Sequence, residues 1–236
     1  MARALHIAGV ALLMVAGLVA CADDGSRRTT PGGQAPTSAT SSPSRTLSIA
    51  PATPSGPPER EREPVPEPKR SYVTIPALGL RDFPVVRYQG SPDDGPGTAI
   101  QNAGEMASPR GPRGGVGPGE IGNFIVTGHR LTGRAPLRYS PSLQDGARIL
   151  VRSGDTVHVY EVRRTRWTSF RQPSSLAAQR APVPGRPGLE PTRAYLTLST
   201  CATIEDHSAG NYWSDQYDNP EHRIDKIAVL VGSRPA

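Results

Sequence analysis

Cysteine, lysine and aromatic residues are all scarce in this 236-residue chain. Lys69 and Lys226 are its only lysines, so the formal charge of +6 rests almost wholly on arginine. No basic helix and no basic strip interleaved with aromatics stands out, and nucleic acid is therefore not an expected partner. Aromatics make up 5% of the chain, and residues 23–70 contain none. There are 2 cysteines, Cys21 and Cys201. Glycine (25) and proline (26) are plentiful by contrast, which implies that part of the chain builds no packed core. No internal repeat is present.

Residues 1–21 read as a targeting segment. Arg3 gives a short positive start, and an uncharged, mostly apolar run follows from Ala4 to Ala20. The closing Leu18-Val19-Ala20-Cys21 resembles the lipobox of bacterial lipoproteins, in which the cysteine is lipidated and becomes the mature N-terminus. The competing reading is an uncleaved signal anchor, although the apolar run at ~1.5 Å per residue spans only ~25 Å of a ~30 Å hydrocarbon core. Both readings place the chain outside the cytoplasm, tethered to the membrane at its N-terminus. With Cys21 in this segment, Cys201 has no disulfide partner in its own chain. A lone thiol in an oxidising compartment needs a reason to be there.

Residues 22–70 are rich in Pro, Ser and Thr, with the alternating charges Glu59-Arg60-Glu61-Arg62-Glu63. Such a segment cannot bury enough apolar surface to offset its ordering entropy, so a disordered stalk is expected. Its Pro-rich part would reach at most roughly 150 Å in extended form, and it serves either as a spacer within a cell wall or as a tail with no length requirement.

A single folded domain is expected over residues 71–236. Tyr72 to Ile75 and Phe83 to Tyr88 read as short strands, broken around Pro76 and Gly79. A Gly/Pro/Asp-rich loop runs from Gln89 to about Gly119, with one helical turn around Thr98 to Met106. Asn123 to Val126 is an apolar strand ending in Thr127-Gly128-His129-Arg130. Arg148 to Arg152 and Thr156 to Phe170 form a pair around the turn Ser153-Gly154-Asp155. In the longer of these two strands neither face is cleanly polar. Ser174 to Arg180 is a short helix in a long loop, Arg193 to Leu198 a strand, Ala202 to His222 a polar loop, and Ile224 to Val231 the last strand. Many short strands, long loops and little helix predict a mainly β, closed or nearly closed barrel.

Thr197-Leu198-Ser199-Thr200-Cys201 delivers the domain's one thiol at a strand tip. That thiol is either a buried structural cysteine or a nucleophile. A nucleophilic thiol needs a cationic or basic neighbour. His158 lies within a strand, and His207 and His222 lie in a polar loop. His129 follows a strand end, as Cys201 does, and is the best partner. Acyl chemistry further needs a donor for the oxyanion, and Arg223, opening the last strand, lies beside Cys201 if consecutive strands pair.

These residues resemble the sortases, the cysteine transpeptidases of Gram-positive surfaces. Thr197 to Cys201 is similar to their TLxTC signature, and Gly119 to Asn123 leading to Thr127-Gly128-His129-Arg130 resembles the strand that carries their histidine. Ile75-Pro76-Ala77-Leu78-Gly79-Leu80 is similar to their IPxxGL-type first strand, and Arg223 falls where their arginine sits. The resemblance covers roughly Tyr72 to Gly232.

It implies an eight-stranded barrel in which Cys201 attacks the Thr–Gly bond of an LPxTG-like sorting signal on a surface protein and forms a thioacyl enzyme. An amine of a peptidoglycan precursor or a pilin then resolves it. It implies His129 as acid and base in a thiolate–imidazolium pair with no third residue orienting the histidine. Arg223, with Thr200 or nearby backbone N–H groups, would hold the substrate and oxyanion. Class E members look most similar, and these are linked to LAxTG-like signals. Here Leu131-Thr132-Gly133-Arg134-Ala135-Pro136 lacks the tyrosine that relatives carry near Gly133, which leaves the second signal position open. No cofactor is expected. The acids Glu205, Asp206, Asp215, Asp218 and Glu221 suggest calcium, as in some class A members, but show no EF-hand-like spacing and read as a solvated loop. The rival L,D-transpeptidases carry histidine two residues before the cysteine, where this chain has Ser199. A stalked, non-catalytic wall-binding lipoprotein is the other alternative.

Overall fold

A computed structural model of the chain describes residues 70–236. The expected targeting segment with Cys21, and all of the expected stalk but Arg70, lie outside the described residues. Eight strands close into one barrel: β1 (Ser71–Ile75), β2 (Leu80–Gln89), β3 (Met106–Arg110), β4 (Gly122–Thr127), β5 (Arg148–Ser153), β6 (Thr156–Ser169), β7 (Ala194–Cys201) and β8 (His222–Pro235). Their order around the barrel is β1-β2-β3-β4-β7-β8-β6-β5, and β5 pairs back onto β1. Three short helices sit in the connections: α1 (Gly95–Asn102), α2 (Pro173–Arg180) and α3 (Thr203–Ser208). The expected mainly β, closed eight-stranded barrel is what forms.

Inward-facing side chains of the strands make the core, among them Val73, Val85, Phe124, Val126, Val151, Tyr160, Leu196 and Leu198. β4 is buried along its whole length. Its inner face carries Phe124 and Val126, while on its outer face Asn123 Nδ2 donates to the carbonyls of Gln179 and Ala181 at the end of α2. A strand covered on both faces reads as a continuous apolar run, and β4 pairs in parallel with β7, as two-sided burial favours.

The missing alternation of β6 has a physical cause. Its register with β8 shifts between Val159 and Tyr160 and again between Val162 and Arg164. The extra residue is Val231 of β8 at the first bulge and Arg163 of β6 at the second, and the register with β5 is unbroken, so Tyr160 and Val162 enter the core while Val157 is buried on the opposite face and apolar residues occupy both sides of the strand.

Three elements differ from the sequence expectation. The first helix begins at Gly95 rather than Thr98. Asp94 caps it, accepting from the N–H of Gly97 at 3.0 Å. Gly97 is required there by space, since a Cβ at that position would lie 2.3 Å from the Tyr88 hydroxyl. Strand β3 falls inside the expected loop, its Pro109 taken up in a parallel ladder with β2. Finally, α3 occupies the start of the polar loop after Cys201.

Candidate active site

The parallel pairing of β4 with β7 brings the C-terminal tips of both strands to one end of the barrel, with Thr127 opposite Ser199. The N–H of Gly128 donates to the Ser199 carbonyl at 3.2 Å, and the chain then turns out to His129. A side chain at Gly128 would meet Met106 and Leu137 at 3.0 and 3.1 Å, so the turn packs tightly. β8 runs antiparallel to β7 and sets Arg223 directly across from Cys201.

His129 and Cys201 line one cleft of about 330 Å³, with Asn102, Arg130, Leu131 and the loop Tyr217 to Pro220. Arg223 Nη1 donates to Cys201 Sγ. The structure thus brings together the three residues singled out from the sequence.

Arg223 is held on every side. Its Nε donates to Asp93 Oδ2 at 3.1 Å, its Nη2 to Asn219 Oδ1 at 2.7 Å, and its guanidinium lies 4.7 Å from the Phe170 ring centroid. Asp93 is itself buried in the left-handed backbone region, at φ 59°, and its other oxygen accepts from Gln101 Nε2 at 2.9 Å. Asparagine and aspartate tolerate that region better than other side chains, and such a conformation persists only where its surroundings fix it. Asn219 is fixed in turn by Asp215, whose carboxylate takes its backbone and side-chain N–H groups at 2.9 and 3.0 Å.

His129 has a partner that the family resemblance did not imply. Its Nε2 lies 2.7 Å from Asn102 Oδ1 at the end of α1. A carbonyl oxygen only accepts, so the contact places a proton on Nε2 and leaves Nδ1 as the ring nitrogen free for proton exchange. Arg130 acts from beside it. This arginine is buried, donates to the Cys201 carbonyl at 3.2 Å and pairs with both oxygens of Glu205 on α3. It joins the histidine loop to the backbone of Cys201.

Burial pushes the Cys201 thiol above its ordinary value; Arg223 opposes the rise and Asp93 adds to it. Burial also holds His129 below its ordinary value, with Asp93 opposing and Arg223 adding. Both directions weigh toward the uncharged thiol and imidazole and against the thiolate–imidazolium pair that the resemblance implied.

Thr200, singled out as a substrate or oxyanion contact, is reassigned. Strand alternation turns it away from the Cys201 face, it is 2% exposed, and its hydroxyl donates to the Gly128 carbonyl at 2.8 Å. It ties β7 to the turn that carries His129. The other histidines have their own partners: His158 Nδ1 lies 3.0 Å from Ser233 Oγ, His207 stacks on Tyr212, and His222 Nδ1 lies 2.7 Å from Asp206 Oδ1. Four of the five loop acids are tied to separate partners. Glu205 pairs with Arg130, Asp206 with His222, Asp215 with Asn219, and Glu221 with Ser169 and Asn211.

Asp93, Asn102 and Asn219 are the residues that sequence reasoning missed. They lie in the Gly/Pro/Asp-rich and polar loops, and only the Asp-Asp-Gly-Pro run, a helix-start pattern, marked the place of the first two.

A family model described as the sortase domain matches residues 73–213. A curated relative, sortase SrtE1 of Streptomyces coelicolor, is 34% identical over 82 residues. That stretch is 35% of this chain and 22% of the relative, so the match spans under a quarter of the relative's length. Among solved structures, sortase E from Streptomyces avermitilis is similar at 25% identity and a TM-score of 0.51, covering 71% of this chain and 90% of that one. The Streptomyces coelicolor sortase E1 with a tripeptide in its active site shares the fold at 23% identity and a TM-score of 0.53, over 71% and 91% of the two chains.

Proposed function

This chain belongs to the sortase family and is most like its class E members, and on that premise we propose that it is a cysteine transpeptidase acting on LPxTG- or LAxTG-like sorting signals. The observation that carries this reading is the contact of Arg223 with the Cys201 sulfur in a cleft that also holds His129.

Proton transfer from the thiol to His129 Nδ1 creates the ionic pair. The thiolate attacks the threonine carbonyl carbon, and the oxyanion formed takes N–H donors from the fixed Arg223 guanidinium. His129 then gives its proton to the glycine nitrogen as the C–N bond breaks, leaving a thioester on Cys201. An incoming amine attacks the thioester, His129 removes its proton, and the thiolate leaves and is reprotonated. Both groups end in their starting states. Asp93 and Asn219 act on Arg223, and Asn102 on His129, as positioning residues.

The substrates on this reading are surface proteins with a C-terminal sorting signal, and the acceptor is an amine of a peptidoglycan precursor or a pilin. The enzyme would work outside the cytoplasm, tethered at its N-terminus through lipidated Cys21 or a signal anchor. Incubation with LPxTG and LAxTG peptides, with and without an amine, tests the reading. Cleavage between Thr and Gly and transfer to the amine are expected, both lost in Cys201→Ala. Cleavage without transfer to any amine would assign a hydrolase instead. Mass spectrometry of the mature N-terminus separates the lipid from the signal anchor.

A further inference from the structure

The loop after His129 and the β1–β2 connection enclose a second groove, of about 640 Å³. Leu131 lines both this groove and the catalytic cleft, so the two concavities meet at a side chain two residues past His129.

The lining of the groove is charged with one sign. Arg81, Arg134 and Arg138 contribute to it, and no aspartate or glutamate does. Among the described residues none of these three arginines forms an ion pair, whereas Arg130, Arg166 and Arg223 each have a carboxylate partner. Arg134 is held in place, its guanidinium 4.5 Å from the Phe83 ring centroid and its Nη1 3.5 Å from the Gly104 carbonyl. Two apolar side chains are left open in the same groove: Tyr139 is 64% exposed and Leu131 40%.

Three like charges lining one concavity repel each other, and the concave wall concentrates their potential. Such an arrangement is relieved by an anionic ligand, and the open apolar side chains offer its uncharged part a surface. The reaction supplies the direction. His129 must face the incoming amine to remove its proton, and the groove begins beside the histidine loop.

We propose that this groove binds the amine acceptor, and that the acceptor carries anionic groups, carboxylate or phosphate, about two residues' length from its reactive nitrogen. The proposal rests on the transpeptidase reading above and adds the chemical class of the second substrate.

The test uses the full chain, a saturating sorting peptide and two acceptors of equal length, Gly-Gly-Glu-Glu and Gly-Gly-Gln-Gln-amide. The acidic acceptor is expected to have a roughly tenfold lower KM, the sum of three partly screened charge contacts. The triple variant Arg81→Gln, Arg134→Gln, Arg138→Gln should lose that preference and keep the wild-type rate of peptide hydrolysis in water. A control triple variant removes exposed arginines outside the groove: Arg113→Gln, Arg148→Gln, Arg193→Gln. It should keep the preference. Equal KM for the two acceptors in the wild type, or loss of the preference in the control variant as well, would overturn the proposal.

Calorimetric titration of the Cys201→Ala chain reads the groove without turnover. Saturable binding of Gly-Gly-Glu-Glu or of inorganic pyrophosphate is expected, with at least a tenfold loss in the groove variant. The anion that binds more tightly identifies a carboxylate or a phosphate source. Binding of neither overturns the site. Binding with no peptide cleavage by the wild type would overturn the transpeptidase reading, and the acceptor role with it, and leave an anion site alone.

Discussion

Replacing Asp93 by asparagine removes the one carboxylate that bonds to Arg223 among the described residues. The pair is closed to solvent, its side chains 3% and 1% exposed, so the arginine charge would be left uncompensated in a dry site. Breaking a buried pair from one side costs about 3–5 kcal/mol. The asparagine carbonyl can still accept from Arg223 Nε, which places Asp93→Asn at the lower end. A loss of about 3 kcal/mol corresponds to a fall in Tm of roughly 6–12 °C for a domain of this size.

The same substitution acts on the chemistry with a definite sign. Asp93 raises both the Cys201 thiol and His129, and without it Arg223 acts on both unopposed. The thiol and the imidazole should each titrate at lower pH, and the bell-shaped profile of peptide cleavage should move to lower pH on both limbs. The direct assay is the rate of Cys201 alkylation by iodoacetamide as a function of pH, measured below the variant's melting temperature. A midpoint unchanged or displaced to higher pH in the folded variant would refute the reasoning.

Asn102→Ala removes the hydrogen bond on His129 Nε2 and should lower kcat by about 2- to 10-fold, the worth of one such bond, with Tm nearly unchanged because Asn102 is exposed. Thr200→Val loses the bond to the Gly128 carbonyl and should cost about 1–2 kcal/mol in chemical denaturation, while KM for the sorting peptide stays at the wild-type value; a raised KM would restore Thr200 as a substrate contact. Because burial holds His129 below its ordinary value, the unfolded chain takes up this proton first as pH falls. Its contribution to stability is then complete above about pH 6.5 and is lost as pH drops toward the folded value, and denaturation of His129→Gln should show a shallower acid loss. Added millimolar calcium should leave kcat/KM unchanged, since Glu205, Asp206, Asp215 and Glu221 are engaged with separate partners.

Strands with regular patterning are legible in the order of residues alone: β1, β2, β4, β5 and β7 announce themselves by β-branched and apolar residues between turn signals. Strand β3 is hidden because Pro109 and the flanking Gly104 and Gly111 imitate a loop; Pro109 still fits because its carbonyl faces Gly115 rather than β2, so its missing N–H falls outside the ladder with β2. Helix α3 is too short to show a period. Asp206 at its centre takes the backbone N–H and the ring of His222, a tie to β8 made across a loop. The site divides in the same way. Cys201, His129 and Arg223 stand at or near strand ends, where alternation and motif locate them. Asp93 and Asn219 come from loop segments and Asn102 from the end of α1, all brought in by folding, and nothing in local spacing marks Asp93 as the counter-charge of an arginine 130 residues away.

The central claim is that the Cys201 sulfur forms a thioester with the sorting signal. Mass spectrometry of the intact chain, quenched in acid after brief incubation with LPxTG or LAxTG peptide and no amine, tests it most directly. The expected adduct has the mass of the acyl fragment ending in threonine, sits on Cys201, is released as the hydroxamate by hydroxylamine and is absent from Cys201→Ala. Peptide cleavage that persists in Cys201→Ala, or an acyl group found on any other residue, would contradict it.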